Sequence, residues 1–217
     1  MDAGQIQFRI FSERDYQAAV DMVVNTWQFY KWVPAPVARA MGEYYLCDIL
    51  EESDEVWAAE DGDTLVGVAG AKNNLRSSFR LRYRLRQWRA CLRILMNGHG
   101  KSEFLQFIKT EALDRDLLAA TGRRFDAELT LLIVRRDYKG KGIGGALYRR
   151  FLEYLKENNL NSFCLFTDSS CNYHFYEHYG LKRLGEKTFY WQNDENTKGA
   201  GSPEEYYLYG NMHPLEG

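Results

Sequence analysis

Apolar and polar residues follow one another along the chain in patterns that separate strands from helices. Residues 5–11 alternate between the two kinds, which predicts a half-buried strand. Ser12 with Asp15 three positions later is typical of a capping box and predicts that a helix begins there. Apolar runs on both sides of Asp61-Gly62-Asp63 predict a β-hairpin over residues 55–71.

Two helices are predicted between this first strand and the hairpin. The first contains the apolar residues of segment 18–23, and it ends before Pro34 and Pro36, because proline removes a backbone donor and restricts its predecessor. The second covers about residues 37–50.

Residues 75–122 differ in character from the segments around them. Large apolar residues recur there at spacings of three and four, which predicts one helix with an apolar stripe formed by Leu81, Leu85, Trp88, Leu92 and Leu95. The arginines between them are interpreted as the solvated face of that helix. A second helix is predicted over residues 101–120, so the whole segment is expected to be a helical insertion.

The rest of the chain predicts strands separated by helices. Residues 127–134 are almost continuously apolar, as expected for a central strand covered on both faces. A glycine-rich turn and a helix follow. After them the pattern predicts a buried strand at 162–167 and a short helix at 172–178. Two further strands are predicted near 188–192 and 206–209, on either side of a polar loop at 193–203. Mixed strands and helices predict an α/β or α+β sheet, in one domain over residues 1–217.

Composition narrows the classes of function. The net charge of the 217 residues is −2, so no global basic field favours nucleic acid. A hydrophobic share of 45% excludes a disordered chain, and no apolar run approaches the ~20 residues that cross a bilayer. The N-terminus shows no secretory signal and the four cysteines form no C-x-x-C pair, which predicts a soluble cytoplasmic protein with reduced thiols.

The glycine-rich turn is the most informative segment. Gly140, Gly142, Gly144 and Gly145 lie between a predicted strand and a predicted helix. Glycines let backbone amides approach a ligand closely, and the helix start adds unpaired donors, so the turn is suited to a pyrophosphate. The Walker A and dinucleotide-binding patterns both fail here, and a tight turn without a ligand is the alternative.

Two motifs resemble one family at this spacing. Residues 139–144 resemble the acyl-CoA signature Q/R-x-x-G-x-G/A of the GNAT superfamily of N-acetyltransferases, with Lys139 where Gln or Arg is usual. Asn172 and the segment 175–181 are similar to the family's downstream Asn and Phe-Tyr-x-x-x-Gly-Phe segment. The resemblance covers residues 127–190 well, and residues 5–71 only through the order of elements.

The resemblance implies a fold and a cofactor. The fold would be a twisted, mostly antiparallel mixed sheet of about seven strands with flanking helices, the helical insertion before the central strand, and an acyl-CoA-binding core at about 125–192. The strands ending at Val134 and near Thr167 would splay apart around acetyl-CoA, with no metal required. The implied cofactor contacts are the backbone of Leu132, Ile133 and Val134 for pantetheine, the turn of Lys139, Gly140, Lys141, Gly142, Ile143, Gly144 and Gly145 for pyrophosphate, and Asn172 and Tyr176 on the far side.

Acetyl transfer to an amine requires a base, because a free alkylamine near pKa 10.4 is almost fully protonated at neutral pH. Glu128 is the acid surrounded by apolar residues, and a period of two predicts that it shares a face with Leu132 and Val134. Several members of the family keep a glutamate base at this position. Glu128 is therefore the predicted base, directly or through water, with Asp126 as the second choice; the alternative is an ion pair with an arginine at 123–124.

Tyr176 is the predicted general acid, since a phenol near pKa 10 is protonated at neutral pH and can donate to the leaving sulfur. The backbone N–H of Leu132 is the predicted oxyanion donor. No residue is placed for a covalent acyl intermediate, so direct transfer in a ternary complex is expected.

Other interpretations remain open at this point. The same fold could be a non-catalytic sensor of acyl-CoA. Residues 174–178 also match H-x-x-E-H, a zinc-peptidase pattern with two histidines on one helix face. The amine acceptor, a small molecule or a peptide, is not readable from the sequence, and a homodimer is as compatible with it as a monomer.

Overall fold

A computed structural model describes residues 6–76, 80–97, 100–191 and 202–211. Within these residues the strands are β1 (Gln7–Ile10), β2 (Glu55–Asp61), β3 (Thr64–Asn73), β4 (Ala127–Val134), β5 (Phe163–Asp168), β6 (Lys182–Trp191) and β7 (Ser202–Asn211). The helices are α1 (Tyr16–Trp27), α2 (Ala35–Glu52), α3 (Leu81–Met96), α4 (Lys101–Ala120), α5 (Ile143–Glu157) and α6 (His174–His178).

The strands form one mixed sheet in the order β1-β2-β3-β4-β5-β7-β6. Only β4 and β5 are parallel neighbours, so the predicted mostly antiparallel sheet of about seven strands is confirmed. These two strands pair at Ala127 with Phe163 and at Glu128 with Cys164, and they have no further register pairs. The sheet therefore opens between their carboxyl ends, as the resemblance implied.

A β-bulge in β4 changes which residues face each side of the sheet. Gly70 of β3 pairs with Leu131 while Ala71 pairs with Leu129, so Thr130 is an extra residue on β4. Its Oγ1 lies 2.8 Å from the Oγ of Ser53, at the end of α2. The predicted common face of Glu128 with Leu132 and Val134 is therefore wrong, because the bulge reverses the alternation between them.

Helices cover both faces of the sheet. Helices α1 and α2 pack on one face, together with Leu131 and Ile133. Helix α5 packs on the other face through Ile143, Leu147, Phe151 and Leu155, which are all 2% exposed or less. A Cβ on Gly67 would lie 2.9 Å from Leu147 Cδ1, so glycine at this position lets α5 lie close to β3. This packing fixes where α5 begins, and so fixes the end of the glycine turn.

Most predicted elements are found with different bounds. The hairpin of β2 and β3 and the capping box of Ser12 with Asp15 are confirmed, although a short 3-10 turn precedes α1. The last two strands are longer than predicted, and Pro203, assigned to the polar loop, lies in β7. Most of that loop, residues 193–201, lies outside the described residues. Helix α6 begins at His174, two residues later than expected.

The orientation of α3 differs from the sequence interpretation. The helix is present, but its predicted apolar stripe faces solvent, with exposed fractions of 57% for Leu81, 53% for Leu85, 71% for Trp88, 57% for Leu92 and 44% for Leu95. Tyr83, Gln87, Ala90 and Ile94 are buried instead. Several arginines pair with acids of the protein body, including Arg86 with Glu13 at 2.5 Å. Arg84 and Arg86 are half-buried in such pairs, whereas Arg82, Arg89 and Arg93 remain exposed, as expected for a solvated face. No helix in the described part of the chain is long and apolar enough to cross a membrane.

The bulge generates a prediction for Gly70. A Cβ there would lie 2.5 Å from Thr130 Oγ1 and 3.0 Å from Ser53 Oγ, two groups that hydrogen-bond to each other. We expect Gly70→Ala to lower the free energy of unfolding by about 1–3 kcal/mol, as for other overpacked sites, in urea denaturation. Gly144→Ala is the control, since its Cβ would meet ordinary contacts at 3.8 Å. Equal stability of Gly70→Ala and the unmodified protein would refute this account of the bulge.

Candidate active site

The glycine turn connects β4 to α5 in a conformation that requires glycine. Gly140 and Gly142 have φ of 80° and 79°, in the left-handed region that other residues adopt at a cost. No atom would lie within 4 Å of a Cβ on either residue, so conformation and not crowding explains the two glycines. Because these glycines carry no side chain, the backbone amides of this exposed turn are accessible to a ligand.

The start of α5 supplies hydrogen-bond donors at the same place. The N–H of Ala146 bonds to Gly142 O, and the amides of Ile143, Gly144 and Gly145 precede this first helical bond. Such amides and the positive end of the helix dipole favour an anion. The chemistry of the turn therefore fits the diphosphate of coenzyme A.

A cavity of about 2170 Å³ joins this turn to the opening between β4 and β5. Its walls include nearly all the sequence-predicted site residues: Glu128, Leu132, Ile133, Val134, Lys139, Gly140, Gly142, Ile143, Gly144, Gly145, Asn172 and Tyr176. Lys141 and Asp126 are not part of the wall. The Nζ of Lys141 instead lies 4.1 Å from the centre of the Tyr138 ring.

Glu128 lies where the two strands begin to diverge. Burial raises the pKa of its carboxyl group to about 7, and the nearby charge of Lys72 opposes that rise. The Nζ of Lys72 donates to Glu52 at 2.6 Å, while the carboxylate of Glu128 has no hydrogen bond within the described residues. A carboxyl group with this pKa changes protonation state near neutral pH, as a general base must.

The other sequence candidates near Glu128 have different surroundings. Asp126 accepts hydrogen bonds from the backbone of Asn161 at 2.8 Å and of Ser162 at 3.1 Å, so it fixes the loop before β5. No ion pair joins Glu128 to Arg123 or Arg124 in the described part of the chain. The structure thus brings Glu128 to the cavity and leaves Asp126 outside it.

Tyr176 lies in the same cavity on α6, and it is 9% exposed. Burial raises the pKa of its phenol, and the neighbouring Cys171 adds to the rise. The hydroxyl is therefore protonated at neutral pH and can donate a proton. Burial also raises the pKa of the Cys171 thiol to about 12, which makes this cysteine a poor nucleophile.

Two acids that the sequence analysis did not single out lie on the opposite wall. Glu111 and Asp114 of α4 line the cavity, and one carboxylate oxygen of each is buried without a hydrogen-bond partner. Burial raises the pKa of Glu111 to about 7 and that of Asp114 to about 8. The sequence does contain a signal: both acids fall on the helix face that Phe104 and Phe107 otherwise make apolar.

The H-x-x-E-H match has other partners in the fold. Glu177 accepts hydrogen bonds from Tyr209 at 2.6 Å and Arg183 at 3.0 Å, and it lies 2.8 Å from His174 Nδ1. Among the residues that the structure describes, no group of three or more His, Cys, Asp or Glu is placed to hold a metal ion.

Comparison with known proteins agrees with this fold. The model of the acetyltransferase (GNAT) family matches residues 21–181, so the chain belongs to that family. No curated protein matches the sequence. The family uses acetyl-CoA as co-substrate, and the glycine turn at the start of α5 has the chemistry to bind it.

Solved structures with the same fold are distant in sequence. A Drosophila melanogaster polyamine N-acetyltransferase has a TM-score of 0.58 at 10% identity, over 96% of this chain and 100% of that one. Ard1 from Thermoplasma volcanium has a TM-score of 0.55 at 15% identity, over 96% and 97%. The Escherichia coli ribosomal-protein-S18-alanine N-acetyltransferase has a TM-score of 0.51 at 12% identity, over 98% and 97%. At these identities the likeness concerns the fold alone.

The glycine turn generates a prediction about cofactor affinity. Alanine at Gly142 would strain a backbone at φ 79° by about 1–2 kcal/mol, so the turn would relax away from its ligand-binding form. We expect Gly142→Ala to weaken coenzyme A binding by about tenfold in isothermal titration calorimetry.

The matched control is Gly122→Ala. Gly122 has φ of 62°, and no atom lies near its would-be Cβ, but it is in the turn after α4 and is not itself part of the cavity wall. Its replacement carries a similar backbone strain and should leave coenzyme A affinity unchanged. If both variants bind coenzyme A equally well, the turn does not hold the diphosphate.

Proposed function

We propose that this protein transfers an acetyl group from acetyl-CoA directly to a primary amine in a ternary complex. The observation that carries the proposal is the common cavity, which holds the glycine turn, Glu128 and Tyr176 on its walls. The pKa of the Glu128 carboxyl group is about 7, and that of the Tyr176 phenol is raised above its ordinary value of 10. Glu128 can therefore accept a proton near neutral pH while Tyr176 retains its own. This pairing is what acyl transfer to an amine requires.

Each residue has one role in the proposed reaction. Glu128 accepts a proton from the acceptor ammonium, directly or through water, and the freed nitrogen lone pair attacks the thioester carbonyl. The Leu132 N–H donates to the oxygen that becomes negative. Tyr176 gives its proton to the sulfur as the carbon–sulfur bond breaks, and the second proton of the nitrogen leaves as the amide forms and restores the phenol, directly or through water. Acetyl-CoA supplies the activated acetyl group.

The cofactor contacts proposed from the resemblance fall into three groups. The backbone of residues 132–134 would pair with pantetheine along the open edge of β4. The amides of residues 139–145 would hold the diphosphate, with Lys139 adding positive charge at the cavity wall. Lys141 lines no part of the cavity, so its contribution is proposed to be electrostatic. Asn172 would reach the cofactor from the β5 side.

A non-catalytic sensor of acyl-CoA is the alternative function. A sensor needs the glycine turn but has no use for a base with a pKa near 7 in the same cavity. Release of free thiol from acetyl-CoA in the presence of an amine panel separates the two functions, because a sensor binds the cofactor without turnover.

We also propose a homodimer in the cytoplasm. All four cysteines are free, as suits a reducing compartment.

The solvent-facing stripe of α3, with Trp88 at 71% exposure near its middle, is an apolar face whose burial by a second copy would be favourable. Sedimentation velocity should give a dimer that Trp88→Glu converts to a monomer, and a monomeric unmodified protein would refute this part.

The role of Glu128 predicts a pH-dependent defect. The ratio of the unmodified rate to that of Glu128→Gln, at saturating substrates, should be about 10²–10⁴ above neutral pH. The ratio should fall as pH drops below about 7, because the carboxyl group takes up its own proton there and no longer accepts one. Taking the ratio removes the titration of the amine itself. Glu153→Gln, on the exposed side of α5, is the control. A ratio that is constant with pH would remove Glu128 as the base.

The role of Tyr176 predicts a loss of kcat. Tyr176→Phe keeps the ring packing against Phe175 and Tyr209 but removes the proton donor. We expect kcat to fall by about 10²-fold with little change in the KM for acetyl-CoA. Tyr148→Phe is the control, because Tyr148 is also buried, at 2% exposure, but does not line the cavity. An equal small effect of both variants would show that Tyr176 only packs.

A further inference from the structure

Acidic side chains cluster at one end of the cavity. Arg135, Arg136 and Lys139 line it near the glycine turn, where the proposed diphosphate binds. The other end holds six carboxyl groups, contributed by α2, α4, β4 and β5, together with the basic side chains of Lys72, Arg84 and Arg115; the six acids are Asp48, Glu52, Glu111, Asp114, Glu128 and Asp168. Acids concentrated in one partly buried space repel one another unless a cation lies among them.

Three of these acids already have partners within the protein. Asp48 accepts from Gln87 Nε2 at 2.7 Å, and Glu52 accepts from Lys72 at 2.6 Å. Asp168 accepts from the backbone and hydroxyl of Ser170.

The other three acids lack such partners. Glu111 Oε1 and Asp114 Oδ1 are buried without a hydrogen-bond partner, and Glu128 has no hydrogen bond within the described residues. Two cations oppose these charges: Arg115 acts on Glu111 and Asp114, and Lys72 acts on Glu128. Arg115 is itself exposed. An unpaired buried carboxylate is costly, which is why the pKa values of Glu111 and Asp114 are raised, and a cationic occupant would stabilise their ionised forms.

Aromatic side chains lie beside the unpaired acids. The rings of Trp27 and Tyr45 are 4.8 Å apart, those of Tyr45 and Phe107 are 5.7 Å apart, and all three line the cavity. The pKa of Tyr45 is raised by burial and next by the charge of Asp114, and both residues line the cavity. Aromatic faces accept a methylene chain and also attract an ammonium group.

We infer that the acceptor is an alkylamine with a second ammonium group at its far end, which Glu111 and Asp114 bind while the reacting amine faces Glu128. This inference rests on the proposed function. A divalent metal ion could also neutralise two carboxylates. In the described part of the chain, however, no three His, Cys, Asp or Glu residues are arranged to bind the same metal ion. Glu111 and Asp114 are on one wall of the cavity and Glu128 is on another. This arrangement suits a diamine, whose two positive charges are separated by a methylene chain.

The experiment uses three acceptors with similar carbon chains and different far ends: putrescine with an ammonium, n-butylamine with a methyl group and γ-aminobutyrate with a carboxylate. Thiol release from acetyl-CoA gives kcat/KM for each. We expect putrescine to exceed n-butylamine by about tenfold or more, as for a buried hydrogen bond to a charged group, and γ-aminobutyrate to be the poorest. Equal values for putrescine and n-butylamine would overturn the inference and leave the proposed function intact.

Variants assign the preference to the inferred residues. Asp114→Asn should lower kcat/KM for putrescine by about tenfold and leave n-butylamine within about twofold. The control is Asp116→Asn on the same helix, because Asp116 is 71% exposed in its side chain and pairs with Lys187 outside the cavity. Glu111→Gln repeats the test if Asp114→Asn does not fold. A loss that is equal for both amines, or equal in the control, would contradict binding of the far ammonium by α4.

A binding measurement separates failure of this inference from failure of the proposed function. Putrescine should raise the Tm of the unmodified protein at a pH above 8, where Asp114 and Glu111 are ionised, and n-butylamine should not. Asp114→Asn should abolish the shift. If no amine releases thiol but the shift is present, the proposed function fails and the dication site stands. If thiol is released and putrescine gives no shift, the dication site is wrong.

Discussion

The site depends on the loss of pairing between two parallel strands. Beyond Glu128, β4 has no register partner on β5, although it continues to pair with β3 on its other edge. Backbone groups along an opened strand edge must find other partners when they are covered, because a buried unpaired amide or carbonyl is costly. An extended chain with amide groups, such as pantetheine, can supply those partners. The opening therefore both creates the cavity and selects the kind of molecule that enters it.

Two local features hold this opening in place. The extra residue Thr130 reverses the side-chain alternation of β4, so Glu128 faces the α2 side while Leu132 packs on the α5 side. The close approach of α5 to β3 at Gly67 fixes the helix start beneath the strand opening. Glu128, the open strand edge and the helix amides are thus placed in one cavity by backbone geometry. The side chains then adjust the electrostatics, through burial that moves the pKa of Glu128 toward neutrality.

The parts of the fold that sequence reasoning predicted are those encoded by neighbouring residues. The hairpin at Gly62, the capping box at Ser12 and the glycine turn at 140–145 each follow from local conformational preference. The bulge at Thr130 depends instead on Gly70 and Ser53, which are distant in sequence, so an alternation rule could not reveal it. Apart from element bounds, the predictions that failed, for the face of Glu128 and for the orientation of α3, concerned which neighbours a residue meets.

The same limit applies to the site. The stripe of α3 has helical spacing whichever side it faces, and the ion pairs of Arg86 with Glu13 and of Arg93 with Glu43 join α3 to residues that are distant in sequence. Glu111 and Asp114 were predicted to lie on a helix, but their shared cavity with Glu128 depends on how α4 packs on the sheet. Motifs located the glycine turn and the candidate acid and base, whereas the proposed acceptor side of the cavity is defined by tertiary packing.

Hydrogen–deuterium exchange with and without acetyl-CoA tests the central claim most directly. If the strand opening and the glycine turn hold the cofactor, amides of residues 132–134 and 140–145 will exchange more slowly in its presence, and those of β1 will not change. Slowed exchange confined to other segments, or no change at saturating acetyl-CoA, would contradict the account.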